Sequence, residues 1–151
     1  MLQQFIDTGP LLPGNRVMSL LGQPLLSYCW EDCTPIKLPT NLEESFSRSF
    51  FASAENKRIR KLMIDDDILE FAQRIFHIHP DLPLQGIDII RDTKTKQLYV
   101  LENNSGGNIW SFSMTNSNPY KSFGRKAMLS QFMAWDRAAE ILVKKTHELA
   151  R

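Results

Sequence analysis

The sequence predicts an α+β domain in which a largely antiparallel sheet packs against helices. Three observations lead there. Short apolar stretches come in pairs around Gly- or polar-rich turns, as in hairpins. Two longer segments repeat apolar residues at three- and four-residue spacing, as helices do. The order is strands, helix, strands, helix, not the strict alternation of a parallel α/β fold. With 151 residues, 42% of them hydrophobic, the chain suffices for one core and hardly for two. A single domain over 1–151 is expected.

The first stretch, "LQQFID" (2–7), is short and partly alternating, so a strand is predicted. "TGPLLPGN" is loop by its Gly and Pro content. "RVMSLLG" and "QPLLSYCW" read as two strands around a Gly turn. From Glu31 to about Asn56 the pattern is irregular, and long connections of this kind are often functional. "DDDILEFAQRIFHIH" is the clearest helix, with Ile68, Phe71, Ala72, Ile75 and Phe76 in phase. Asp65 to Asp67 suit its N-terminus, where free N–H groups favour negative charge. "GIDIIRD" and "QLYVLEN" are a second strand pair around "TKTK". One long helix is expected from about Gly124 to Leu149, roughly 35–40 Å at 1.5 Å per residue. Its apolar stripe is Met128, Phe132, Trp135, Ala139 and Leu142, read as core packing.

Charge and composition exclude several classes. The formal net charge is +1, without the basic excess of a nucleic-acid binder. No apolar run approaches the roughly 18 residues of a membrane span. The N-terminus lacks a basic start and an apolar core, so no signal peptide is read and the cytoplasm is the expected compartment. Cys29 and Cys33 lack a second ligand pair at zinc spacing and read as buried or half-buried thiols. His77 and His79 end a helical pattern and are not taken as ligands. Trp110 and Phe112 read as core residues, with a substrate wall as their alternative role.

The chemistry concentrates in the second hairpin. With its turn centred on Thr95, Asp88 lies opposite Glu102, and Asn104 shares the Glu102 face. Ile90, Leu98 and Val100 are expected on that face, and Ile87, Ile89, Tyr99 and Leu101 on the other. Both faces are apolar in the middle, so the sheet should be covered on both sides. Opposed carboxylates repel at Cβ separations of about 4.5–5.5 Å. Protonation, a bridging Arg or Lys, or a divalent cation would each relieve this. Asp, Glu and an Asn carbonyl are the hard oxygen donors that suit Mg²⁺, which completes its shell with water and phosphate oxygens. The Gly106–Gly107 loop behind could offer backbone N–H groups to an anion. The plain alternative ends the strand at a solvent edge, with Asp88 paired to a lysine.

At these residues the sequence resembles the ATP-grasp superfamily. "LQGIDIIRDTKTKQLYVLENNSGGNIW" is similar to that family's metal-binding hairpin, with Asp88, Glu102 and Asn104 at the ligand positions. Asn103 stands where the family more often has an apolar residue. "LQQFIDTG" resembles the adenine-binding hinge, with main-chain groups near Gln4, Phe5 and Ile6. "GNRVMSLLGQPLLSY" resembles the strand pair after it, whose leading arginine, here Arg16, serves phosphate or the acyl phosphate. Together these cover about residues 2–28 and 57–113.

The resemblance implies a carboxylate–amine or carboxylate–thiol ligase using ATP and Mg²⁺, with Mn²⁺ as a substitute. Asp88, Glu102 and Asn104 would hold metal. Arg16 would be catalytic, and Arg58 and Arg60 would be further phosphate ligands, with a solvated basic patch as their plainer alternative. The partners would be ATP, a carboxylate and a nucleophile that the sequence does not identify. The family's lysine-bearing strand and glycine-rich flap precede the hinge and have no counterpart here. The chain is thus expected to be the C-terminal portion of the fold, with little or no ligase activity alone. Self-association, or union with the absent half, is the partner expectation. Two rival readings are a non-catalytic binding module of the same fold and, more remotely, a metal-dependent hydrolase.

Overall fold

The computed structural model describes residues 6–35, 57–105 and 109–150. Five strands form one sheet: β1 (Gly14–Leu20), β2 (Gln23–Asp32), β3 (Arg58–Leu62), β4 (Leu84–Arg91) and β5 (Leu98–Asn104). Their order is β3-β2-β1-β4-β5 and every neighbouring pair is antiparallel. Three helices cover it: α1 (Asp66–Ile78), α2 (Asn118–Gln131) and α3 (Ala134–Leu149). The α+β class predicted from sequence is the observed one. Among the described residues no helix is long and apolar enough to cross a membrane.

The β1–β2 hairpin turns through Leu21 and Gly22, both at positive φ. Gly22 is required there. A Cβ would lie 2.6 Å from the Phe76 ring at the end of α1, and φ is +79°. β3 was not expected. Its Arg-Ile-Arg-Lys-Leu sequence puts charge on an edge strand, which deters further strand pairing. Ile6 and Asp7 are not in a strand, and residues 2–5 of the strand predicted there lie outside the described residues.

α1 forms as predicted. Asp65 caps it by accepting from the Ile68 N–H, and Asp66 and Asp67 stand in its first turn. Its buried residues, Ile68 and Ala72, join Val17, Ile87 and Ile89 in a cluster on one face of the sheet. Gln85, fully buried, donates to the carbonyls of His79 and Leu82 and so fastens the exit of α1 to β4.

The single long C-terminal helix is corrected to two. α2 starts earlier, capped by Ser117, with Pro119 in its first turn, and kinks at Gly124, where φ is 72°. The chain breaks at Phe132 and Met133, the latter left-handed at φ 48°, and α3 begins afresh. Gln131 explains the stop. Its side chain accepts from Ser27 N–H and donates to the carbonyls of Ser27 and Met63, so it extends the β2 ladder where β3 ends. The break shifts the helical phase. Ala134 and Ala138 are buried, whereas Leu142 is 53% exposed and Ala139 is also exposed. The predicted core stripe thus holds at Met128 and only partly at Phe132 and at Trp135, which is 41% exposed but packs its ring on Trp110 and Phe112. Met128, Ala134 and Ala138 pack with Met18, Leu26, Tyr28, Ile109 and Phe112 on the second face. Phe112 is fully buried beside Trp110, ring centroids 5.2 Å apart, so its core assignment holds.

Candidate functional site

The β1–β4 and β4–β5 registers build the site. Asp88 pairs with Glu102 directly, as the Thr95-centred turn predicts, and Asn104 lies opposite Gly86. Following the ladders across the sheet gives one row: Leu62, Tyr28, Arg16, Asp88, Glu102. Side chains directly opposite each other share a face. One step along, Trp30 faces Arg60, and beyond it Asp32 faces Arg58. Arg16, Arg58, Arg60, Asp88, Glu102 and Asn104, scattered over 89 positions of sequence, therefore share one face. The α2–α3 cluster covers this face at the Met18–Leu26 end, with Tyr28 at its border.

A bulge between Asp88 and Ile89 corrects one expectation. Beyond it Ile89 pairs with Val100 and Arg91 with Leu98. The extra residue on β5 reverses the faces of what precedes it. Leu98 and Val100 thus pack with Ile87 and Ile89 under α1, not beside Glu102. Asn103 also points to that side. It donates to Gln85 Oε1 at 3.5 Å, while its own Oδ1 is buried without a partner.

The carboxylate conflict is relieved by an arginine. Arg16 grips Asp88 through both nitrogens of a fork, Nε to Oδ1 at 2.6 Å and Nη2 to Oδ2 at 2.5 Å. Asp88 is buried and Glu102 is exposed. Burial pushes the Asp88 carboxyl up, the Arg16 fork pulls it back, and the Glu102 charge pushes it up again. Burial works against the charge on Arg16, but the Asp88 bond and the nearby phenol outweigh it, and the net shift is upward. These two upward shifts point opposite ways: one disfavours the charged acid, the other favours the charged base. The forked geometry requires a carboxylate, so the ion pair is the state at neutral pH. Tyr28, absent from the sequence-based candidates, sits beside Arg16 with its phenol pushed up by burial. Nothing in the apolar "PLLSYCW" pattern marks it as a site residue.

The other two arginines differ. Arg58 is paired to the buried Asp32 at 2.9 Å and lies over the Trp30 ring. Among the described residues Arg60 has no carboxylate partner; Nη1 donates to the Arg58 carbonyl at 3.4 Å. Burial and the charges of Arg58 and Arg16 depress its pKa, with Tyr28 opposing. Arg60 is thus a cation held near two others, without a carboxylate of its own among the described residues.

Ile6 is placed by its neighbour. The Asp7 carbonyl accepts from Thr93 N–H at 2.8 Å and Thr93 Oγ1 at 3.0 Å. Thr93 lies in the turn after β4, two residues beyond Arg91, so Ile6 enters at the β4–β5 turn. Gln4, Phe5, Gly106 and Gly107 lie outside the described residues. Cys29 is half-buried and Cys33, expected to be at least half-buried, is exposed beyond the end of β2. His77 and His79 are exposed at the end of α1. A cleft of about 520 Å³ lies elsewhere, between the β1–β2 turn, Phe76 and the Arg137–Ile141–Lys145 side of α3. None of the sequence-predicted site residues lines it.

Among the described residues no three His, Cys, Asp or Glu side chains cluster as a metal site. The donor set here is two carboxylates and an amide. Their hard oxygens on one face fit a Mg²⁺ ion that keeps water and phosphate in its shell. The fit has one condition, since both Asp88 oxygens are engaged by Arg16.

The fold is a five-stranded antiparallel sheet, with the polar row crossing one of its faces. The solved structures to which this chain is similar include two. One is the macrocyclase MdnC bound with precursor peptide MdnA, from Microcystis aeruginosa MRC, 13% identical over 80% of this chain and 33% of that one, with a TM-score of 0.42. The other is a RiPP-associated ATP-grasp ligase from Chryseobacterium gregarium in complex with ADP and a leader and core peptide, 14% identical over 83% and 35%, TM-score 0.38. The chain spans about a third of the length of each. No protein-family model and no curated protein matches it.

Proposed function

We propose that this chain is the metal- and phosphate-binding wall of an ATP-grasp ligase, the C-terminal portion of that fold, which activates a carboxylate as an acyl phosphate for capture by an amine or thiol. The in-register opposition of Asp88 and Glu102 on one face, in line with Arg16, carries this reading. Phosphoryl transfer depends on neutralising and aligning charge. Mg²⁺, when bound, supplies that neutralisation at the phosphate oxygens. The chain's own residues do the rest: Asp88, Glu102 and Asn104 offer oxygens, and Arg60 and Arg16 offer guanidinium groups to phosphate or the substrate carboxylate. Ile6, with Gln4 and Phe5, would border the nucleotide base.

The test is a pair of melting curves, wild type and Glu102→Gln, with and without ATP and Mg²⁺. Ligand that binds the native state raises apparent stability by mass action. A wild-type rise that the substitution abolishes is expected. No shift in either protein overturns the reading and favours a second one, a non-catalytic binding module of the same fold. One observation favours that second reading: Arg16 already satisfies both oxygens of Asp88.

A further inference from the structure

We propose that Arg16 and a divalent cation compete for Asp88, so that cation and anion bind this face together and neither binds well alone. This rests on the cation site proposed above. The row holds two acids, Asp88 and Glu102, and one base, Arg16. Arg16 spends its fork on Asp88, leaving Glu102 exposed and without an ion pair among the described residues. A cation shared by Asp88 and Glu102 would sit within a few ångströms of the guanidinium. Like charges that close repel by several kcal/mol even at an effective dielectric near 20. Asp88 can serve the cation only when Arg16 lets go.

With Asp88 and Glu102 both given to the cation, a released Arg16 meets no further acid in its row among the described residues. The other acid on this face, Asp32, holds Arg58. Arg60 competes for any anion and itself lacks a carboxylate partner among the described residues. The side chain of Arg16 is 27% exposed, so it can turn outward without unpacking the core. Its released charge is then open to an incoming anion, which Arg60, on the same face, can share. Each ligand therefore removes the cost the other meets, and the coupling is reciprocal. The anion class is a polyphosphate, able to span two guanidinium groups and still coordinate the cation.

Mn²⁺ titration of the full chain, followed by the electron paramagnetic resonance of free Mn²⁺ with no nucleotide present, tests this. Arg16→Gln should bind Mn²⁺ about tenfold tighter than wild type or more, since one like charge has left the site. The double variant Arg16→Gln/Asp88→Asn should lose that gain. Arg16→Lys keeps the charge but cannot fork both oxygens; it should gain several-fold and serves if Arg16→Gln does not fold. Equal affinity in wild type and the Arg16 variants overturns the competition and leaves the cation site standing. A gain that survives Asp88→Asn also overturns it. No Mn²⁺ binding in any folded variant removes the cation site itself, and the competition with it.

Discussion

Arg16→Met is the sharpest test of how the carboxylate pair is tolerated. The substitution keeps the aliphatic stem, removes the fork, and leaves buried Asp88 opposite Glu102 with no cation touching it. Removing one partner of a buried pair costs about 3–5 kcal/mol. The side chains here are 27% and 9% exposed, so water replaces part of the lost contact and about 3 kcal/mol is expected. At roughly 2–4 °C per kcal/mol for a chain of this size, the melting temperature should fall by about 6–12 °C. The loss should also depend on pH. Burial already raises Asp88 above its unfolded value, and without Arg16 the rise is larger. A carboxyl raised in the folded state contributes stability below its unfolded pKa and loses it as pH rises through the folded one. The difference between wild type and variant should therefore be greatest at pH 7 and shrink towards pH 4. Urea denaturation at both pH values, read by tryptophan fluorescence, measures this. A loss under about 1 kcal/mol at pH 7, the range of exposed pairs, or an equal loss at both pH values, would refute the reasoning.

Three further substitutions probe what positions the row. Gly22→Ala should cost at least about 1–3 kcal/mol, because φ is +79° and the new Cβ meets the Phe76 ring at 2.6 Å; an unchanged denaturation midpoint would contradict the turn geometry. Gln131→Ala frees the Ser27 N–H and the Met63 carbonyl, while the Ser27 carbonyl keeps the Met63 N–H; about 1–3 kcal/mol should be lost, with faster hydrogen exchange at Ser27. Phe112→Ala, at a fully buried ring stacked edge-on to Trp110, should cost about 3–5 kcal/mol and shift the tryptophan emission; a smaller loss with unshifted emission would place Phe112 outside the core.

What was legible in the sequence follows from how local each signal is. The Asp88–Glu102 pairing could be read because a short polar turn fixes hairpin register within a few residues. α1 could be read because its cap, its acidic first turn and its apolar spacing agree. The division of α2 from α3 could not, since the apolar spacing runs through Phe132 without a Pro or Gly. What ends α2 is Gln131 bonded to Ser27, 104 positions away in sequence. The bulge at β5 was equally hidden, and it decided which face Leu98 and Val100 took.

The site itself was half legible, and the missing half changes its chemistry. The acids stood out as a conflict, and an arginine bridging both was one of three ways to relieve it. Arg16, 72 positions from Asp88, instead holds Asp88 alone; no local pattern shows this pairing, and only the β1–β4 ladder places it. The same holds for Arg58 and Asp32, whose pairing depends on β3 forming at all. Once both pairs are drawn, the three arginines are no longer equivalent. Two are paired to acids at 2.5–2.9 Å, and Arg60 has no such partner among the described residues. Arg16 and Arg58 would therefore each have to give up an ion pair to serve an anion, whereas Arg60, among the described residues, would not.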